Sequence, residues 1–312
     1  MFVLVLLFYS NKKFHTMKYG YFIILLTFFS ALNALIAQKT LKYNLKEGDT
    51  YKITQQANQL ITQQIEGSSH EITNELTGFF NFKVVGVDEM GFDIILNFQN
   101  FTLKTNSSIQ GVLMDVNAKK LVEGDIMSEM FHAIIGYELS MRMTTNGSIL
   151  YVKGGDELIT KMISAASIED EFNLNLMRKS LTNEFSSKGL ADSFEQMTFF
   201  YPDTKVTIND TWENTYNGKL SANNTFKLEK IDTNTISISG NASIVINTEE
   251  SGAIMSLSGS QESFIETNTK TGFIKKTMIS SFLEGNTVMT QISNSEIPTT
   301  IKSTTTYKLL EN

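Results

Sequence analysis

The sequence predicts an α+β protein: a mostly antiparallel, curved or half-open barrel-like sheet, built from two related β-units, with helices inserted between them and covering one face. Three observations carry this. Apolar and polar residues alternate with a period of two on both sides of a central stretch. That stretch switches to helical spacing. A turn motif also occurs twice, as "LKEGDTY" over 45–51 and as "VTINDTW" over 206–212.

The chain opens with an address. From Met17 it reads "MKYGYFIILLTFFSALNALIAQK": Lys18, an apolar run, then small residues before Gln38. This is the layout of a secretory signal peptide cleaved after Ala37. Leu35, at the minus-three position, is larger than the usual Ala, so an uncleaved anchor is the alternative. Residues 1–16 carry another apolar run, too short to span a bilayer. Met17 therefore reads as the start, and residues 1–37 as an N-terminal extension plus signal peptide. The remainder, 38–312, reads as one α+β domain: a first β-unit over 38–153, a helical insert over 154–201 and a second β-unit over 202–312. No later stretch reaches spanning length, which predicts a periplasmic or extracellular protein with no membrane span in its mature chain.

The chain has no cysteine, which excludes disulfides, thiolate metal sites, a Cys nucleophile and lipid attachment through cysteine. An exported protein that is not a lipoprotein follows. Removing 1–37 takes Lys12, Lys13 and Lys18 and no acid, so the whole-chain charge of −7 becomes about −10. No basic cluster with interleaved aromatics offsets this balance, which argues against nucleic acid as a partner.

In the first unit, "FFNFKVVGVDEMGFDIILNFQNF" puts Phe92, Ile94, Leu96 and Phe98 on one face, with Asp93, Asn97 and Gln99 opposite. Met90-Gly91 supplies a turn between two half-buried strands. In the second unit, "NTISISGNASIVIN" alternates likewise, with Ile236, Ile238, Ala242, Ile244 and Ile246 on one face. Three places correspond in order. The turn motifs match, Phe82 to Asp88 aligns with Phe226 to Asp232, and "TTNGSILY" aligns with "TKTGFIKK", placing Gly147 on Gly272. A duplicated β-unit is the reading this order favours.

The turn motif has a conformational explanation. Gly48 and Asn209 are residue types that tolerate positive φ, and Asp49 or Asp210 caps the turn with its carboxylate. A strand then begins with Thr and an aromatic, Tyr51 or Trp212, entering the core with a gain of roughly 2–3 kcal/mol. The rival reading makes the Asp a catalytic acid and the aromatic a ligand platform, but turn chemistry accounts for every position.

Between the units the period lengthens. Leu158, Met162 and Ile163 fit one helix; Phe172, Leu176, Leu181 and Phe185 a second; Leu190, Phe194 and Met197 a third, with Pro202 closing the segment. A further short helix is predicted over 126–135. Helices between two runs of antiparallel strands imply that they cover one sheet face.

Catalytic patterns are not found. His70 in "GSSHEIT" reads as a solvated hairpin tip, and His132 in "MFHAIIG" as a packed or half-exposed helix residue rather than a base. No metalloprotease helix, nucleophile elbow, phosphate loop or dinucleotide fingerprint appears. The sequence thus implies no enzyme, no cofactor and no metal site. Glu169-Asp170-Glu171 begins a helix, where acids suit the macrodipole. The methionines Met127, Met130, Met141 and Met143 crowd together. Met adapts to greasy ligands and equally fills irregular cores. Met127, Met130, Phe131, Met162 and Phe194 are the expected walls of any apolar-ligand site.

The segments "LKEGDTYKITQQ", "MTTNGSILYVKG", "FFYPDTKVTINDTW" and "TNTKTGFIKK" together resemble an uncharacterised family of exported Bacteroidota proteins, the domain of unknown function DUF6263. The best match runs from Pro202 to Trp212, with Asn209 where the family usually has Gly. The resemblance transfers no catalytic residue. Its strand–helix–strand plan is similar to that of periplasmic lipoprotein carriers with a half-open barrel capped by helices. Two readings follow: an envelope binding module for a lipid or other apolar ligand, or a structural protein with a packed core whose surface engages an envelope protein.

Overall fold

In a computed structural model the described residues are 38–166, 170–250, 253–289 and 295–310. The signal peptide and extension assigned to 1–37, and Glu169, lie outside them. Four strands come first: β1 Thr50–Ile65, β2 Ser68–Asp88, β3 Gly91–Ser107 and β4 Gly111–Asn117. After α1 (Ile126–His132) come β5 (Glu138–Thr144) and β6 (Ile149–Lys153). The helices α2 (Gly155–Ala165), α3 (Glu171–Phe185) and α4 (Ser187–Thr198) follow. The chain then returns to strands: β7 Thr211–Tyr216, β8 Leu220–Ile231, β9 Thr235–Glu250, β10 Ala253–Asn268, β11 Ile274–Met289 and β12 Glu296–Leu309.

All twelve strands form one antiparallel sheet in the order β6-β5-β3-β2-β1-β12-β11-β10-β9-β8-β7, with β4 also on β3. The sheet is not closed: β6 and β7 are its edges. Most pairs are hairpins of sequence neighbours; the exceptions are β3 with β5, across β4 and α1, and the centre, where β1 meets β12 from Ile53↔Leu309 to Gln63↔Thr299.

The two turn motifs are built alike. Gly48 and Asn209 have φ of 90° and 75°, the left-handed region that Gly and Asn enter at least cost. Lys46 N donates to Asp49 Oδ2 at 2.9 Å, and Thr207 N to Asp210 Oδ2 at 2.8 Å. Gly48 N donates to Val84 O at 2.9 Å while Val84 N returns a bond to Asp49 O; Asn209 N donates to Leu228 O at 2.8 Å while Leu228 N returns one to Asp210 O. Beyond each pairing the second strand bulges, between Val84 and Gly86 and between Leu228 and Lys230.

Tyr51 and Trp212 occupy matching places after these turns, but each is half-buried rather than enclosed. Tyr51 stacks on Phe273 with ring centroids 3.8 Å apart, and its hydroxyl donates to Asp49. Trp212 packs on Phe226, and its Nε1 donates to Phe200 O at 2.9 Å. A polar tip that needs a partner keeps each ring at the rim. Trp212→Ala is therefore expected to cost about 2–3 kcal/mol, below the 3–5 of a fully enclosed ring. Indole fluorescence is expected to be partly quenched by iodide; full quenching in the native state would show that the packing is absent.

One sheet face is apolar at the end where the β2–β3 and β8–β9 turns lie. Leu96, Ile94, Phe82 and Ile53 from β1–β3 and Leu228, Ile238 and Ile265 from β8–β10 are buried there in one cluster. The insert covers this face. α2 buries Leu158, Ile159, Met162 and Ile163, and α4 buries Leu190, Phe194 and Met197, as the spacing predicts. α3 departs from its predicted stripe. Leu181 is buried, but Phe172 is 70% exposed and Leu176 42% exposed, and the face turned inward carries Leu174, Met177, Leu181 and Phe185. At about 100° per residue, the five-residue step from Leu176 to Leu181 turns the helix by about 140°, so Phe172 and Leu176 fall off that face. α1 ends at His132, short of the predicted 135.

The gap between the edges is filled by α4, the chain that follows it and residues 39–45. On the β6 side, Glu195 Oε1 accepts Ser148 Oγ and Ile149 N at 2.6 and 3.1 Å. On the β7 side, Asn214 Nδ2 and Tyr216 Oη donate to Phe199 O at 2.7 and 2.8 Å. The N-terminal segment ties two hairpins together: Tyr43 N donates to Thr145 O in the β5–β6 turn and Asn44 N to Thr271 O in the β10–β11 turn, each at 2.8 Å. The Tyr43 hydroxyl donates to Thr198 O, and burial holds its pKa well above the usual phenol value.

Candidate functional site

Where the helices stand off the sheet, they leave a cavity of about 910 Å³. Its floor is Phe80, Phe98, Phe101, Leu76 and Leu103 of β2 and β3, and its roof comes from α1, α3 and α4. Aromatic pairs stiffen the walls. Phe101 stacks on Phe131 at 5.2 Å and 7°, and Phe80 meets Phe194 edge-on at 5.9 Å. Ile126 and Leu176 line the cavity and are 43% and 42% exposed, so they mark its mouth.

Helix starts position the roof. The Asp125 carboxylate caps α1 through Ser128 N at 3.0 Å, and Asp170 caps α3 through Asn173 N at 2.7 Å. These caps satisfy amides that a helix start otherwise leaves unpaired. Among the described residues that line the cavity, none is Lys, Arg or His; its carboxylates are Asp170 and Glu184. Glu184 is paired with Lys219 at 2.6 Å.

Of the five residues expected to line an apolar site, Met127, Met130, Phe131 and Phe194 do so. Met162 does not. It is fully buried in the core, and α2 contributes no described residue to the walls. Sequence reasoning missed the floor, because Leu76, Phe101 and Leu103 approach the helices only once the register is set. Gly48, Asp49, Asn209 and Asp210 lie at the turns described above, outside the cavity walls.

Register also reveals a polar row. One step toward the hairpin tips from Leu76 and Leu103, the same face carries Thr105, Asn74, Gln59, Ser303, Ser281, Gln261, Ala242, Asn224 and Asn214 on successive strands. Thr105 Oγ1 donates to Asn74 Oδ1 and Asn74 Nδ2 to Gln59 Oε1, both at 2.8 Å. Ser281 and Ser303 share a bond of 2.6 Å, and Asn224 Nδ2 donates to Asn214 Oδ1 at 3.0 Å. Beyond the row, Ile61, Leu283, Ile301, Ile244 and Tyr216 form a second apolar cluster. Inside the cavity, Gln55 Nε2 donates to the Tyr307 hydroxyl at 3.3 Å, and burial pushes that phenol up to about 12.

His70 is not solvated at a tip. The turn is Glu66-Gly67, so His70 already lies in β2, half-buried, with Nε2 2.9 Å from Ser107 Oγ. His132 ends α1 with Nδ1 2.8 Å from Ala118 O. The nearly buried Arg142 pairs with Asp88 and Asp93 at 2.5 and 3.2 Å, and its hydrogen bond holds Asp88 below the usual carboxylate range. That cluster braces the β2–β3 turn. Among the described residues, no three His, Asp or Glu side chains converge to hold a metal ion, and no helix is long and apolar enough to cross a membrane.

The fold and site define a class: an open, curved antiparallel sheet roofed by helices over an apolar cavity. The chain belongs to the family of unknown function DUF6263, whose model matches residues 90–274. No curated protein matches its sequence. Among solved structures it is similar to lipovitellin, in a structure concerned with lipid–protein interactions, at a TM-score of 0.50 and 11% identity over 86% of this chain and 26% of that one. It thus spans about a quarter of lipovitellin's length, and the likeness is one of fold. An outer-membrane channel from Pseudomonas putida F1 aligns at a TM-score of 0.24 and 7% identity, over 86% of this chain and 97% of that one.

Proposed function

We propose that this is an exported, non-catalytic binding module of the cell envelope that carries a lipid or other apolar ligand in the cavity between sheet and helices. The observation that carries this reading is the cavity itself. At about 910 Å³ it falls within the roughly 300–1,000 Å³ usual for ligand sites, and its walls are mostly Phe, Leu, Ile and Met. Such space left empty costs the contacts its lining would otherwise make. The signal-peptide pattern before Gln38 supports export, and the fold shared with lipovitellin supports lipid as the ligand class. The paired turns, bulges and registers of β1–β3 and β7–β9 support an origin by duplication, which leaves one helical insert to roof the joint sheet.

The neutral dye N-phenyl-1-naphthylamine is expected to bind saturably near one per chain, with a blue shift. At a hundredfold excess over its Kd it should stabilise the fold by about 2.7 kcal/mol, visible as a raised Tm. Native mass spectrometry of protein purified from its host envelope should show a non-covalent adduct. Weak, unsaturable dye binding with no rise in Tm would leave the packed structural protein instead.

A further inference from the structure

We propose, building on the reading above, that the ligand is an amphiphile with an uncharged, hydrogen-bond-accepting head of the ester or hydroxyl class. Its tail lies among the cavity phenylalanines, and its head rests on Gln59–Asn74–Thr105 and the Gln55–Tyr307 pair.

The direction of the hydrogen bonds points this way. Thr105 donates to Asn74, and Asn74 to Gln59. The relay therefore ends on the Gln59 amide nitrogen, a donor with no acceptor among the described residues. Gln55 likewise donates to Tyr307, leaving the phenol hydrogen as the terminal donor. Both relays present N–H or O–H groups, and donors so placed gain from meeting an oxygen acceptor rather than remaining unpaired. Chained bonds also polarise one another, which strengthens the terminal donor.

Charge decides among acceptors. A carboxylate or phosphate head taken out of water needs a cation, and neither the described walls nor the polar row contains Lys, Arg or His. A quaternary ammonium head would face donors, and the two carboxylates nearby are already engaged, Asp170 by Asn173 N and Glu184 by Lys219. A neutral ester or hydroxyl meets neither objection. The distance also suits. The row lies two residues along each strand from Leu76 and Leu103, about 7 Å beyond the apolar floor.

The test is titration calorimetry of the purified protein with 1-monomyristoylglycerol, myristate and myristyltrimethylammonium, each below its aggregation threshold. The monoacylglycerol is expected to bind at least about tenfold tighter than either charged chain, and Gln59→Leu and Tyr307→Phe should each weaken it about tenfold, as loss of one buried hydrogen bond does. The ranking on the unaltered protein stands whether or not a variant folds. If a charged chain binds as tightly while N-phenyl-1-naphthylamine still enters the cavity, the head-group assignment is overturned and the apolar-ligand reading survives. If neither the dye nor any of the three binds, both fall together.

Discussion

Gly147→Ala is expected to lose about 3–6 kcal/mol of folding stability, a large share of the roughly 5–15 kcal/mol that an ordinary domain possesses. Two costs combine. Gly147 has a φ of 98°, where an alanine is strained. A Cβ there would also overlap the carbonyl oxygen of Thr198 and lie 2.8 Å from the Tyr43 ring. Neither neighbour can retreat cheaply. Thr198 Oγ1 donates to Gly147 O at 2.7 Å, and Tyr43 is fully enclosed where the N-terminal segment joins the two hairpins. Urea unfolding followed by circular dichroism measures the loss. A midpoint close to that of the unaltered protein would show that the segment over 39–45 does not pack as described.

A second large effect separates packed core from cavity. Phe82 is 1% exposed and meets Phe194 and Phe273 edge-on at 5.9 and 6.3 Å. Phe82→Ala opens a void where none existed and should cost about 3–5 kcal/mol. Met127 is half-buried and faces space that is already open. Met127→Ala should cost about 1 kcal/mol or less, because it enlarges a cavity instead of creating one. Chemical denaturation of both variants provides the comparison. Equal losses would mean that the space beside Met127 is filled in solution.

These two residues also show what could be read in advance. The alternation that placed Phe92, Ile94 and Leu96 on one face, and the spacing of Leu158, Met162 and Ile163, are local properties of a strand and a helix, so they survive folding unchanged. The turn motifs are local as well, since Gly48 and Asp49 bond chiefly within a few residues and to the next strand. The cavity is not local. Its floor and roof lie far apart in the chain, and whether Met162 or Leu76 faces the void depends on how closely each helix approaches the sheet. The polar row is hidden further still. Gln59, Asn74 and Gln261 look like solvent-facing members of amphipathic strands, and only the interstrand register aligns them on the interior face. His70 was misplaced for a smaller reason: a two-residue turn at Glu66-Gly67 leaves no room for a loose tip.

The pairing of β1 with β12 has a kinetic consequence. Each of the other strand pairs joins near neighbours and can form while distant segments are still unfolded. The central seam brings Ile53 beside Leu309, so it must wait for almost the whole chain to be available, and high contact order slows such a step. Until then the flanks of two long strands stay bare in the middle of the molecule, which is where intermolecular pairing would start. Neither the strands before the helical insert nor those after it are complete alone: each group lends the other the strand that covers its open side.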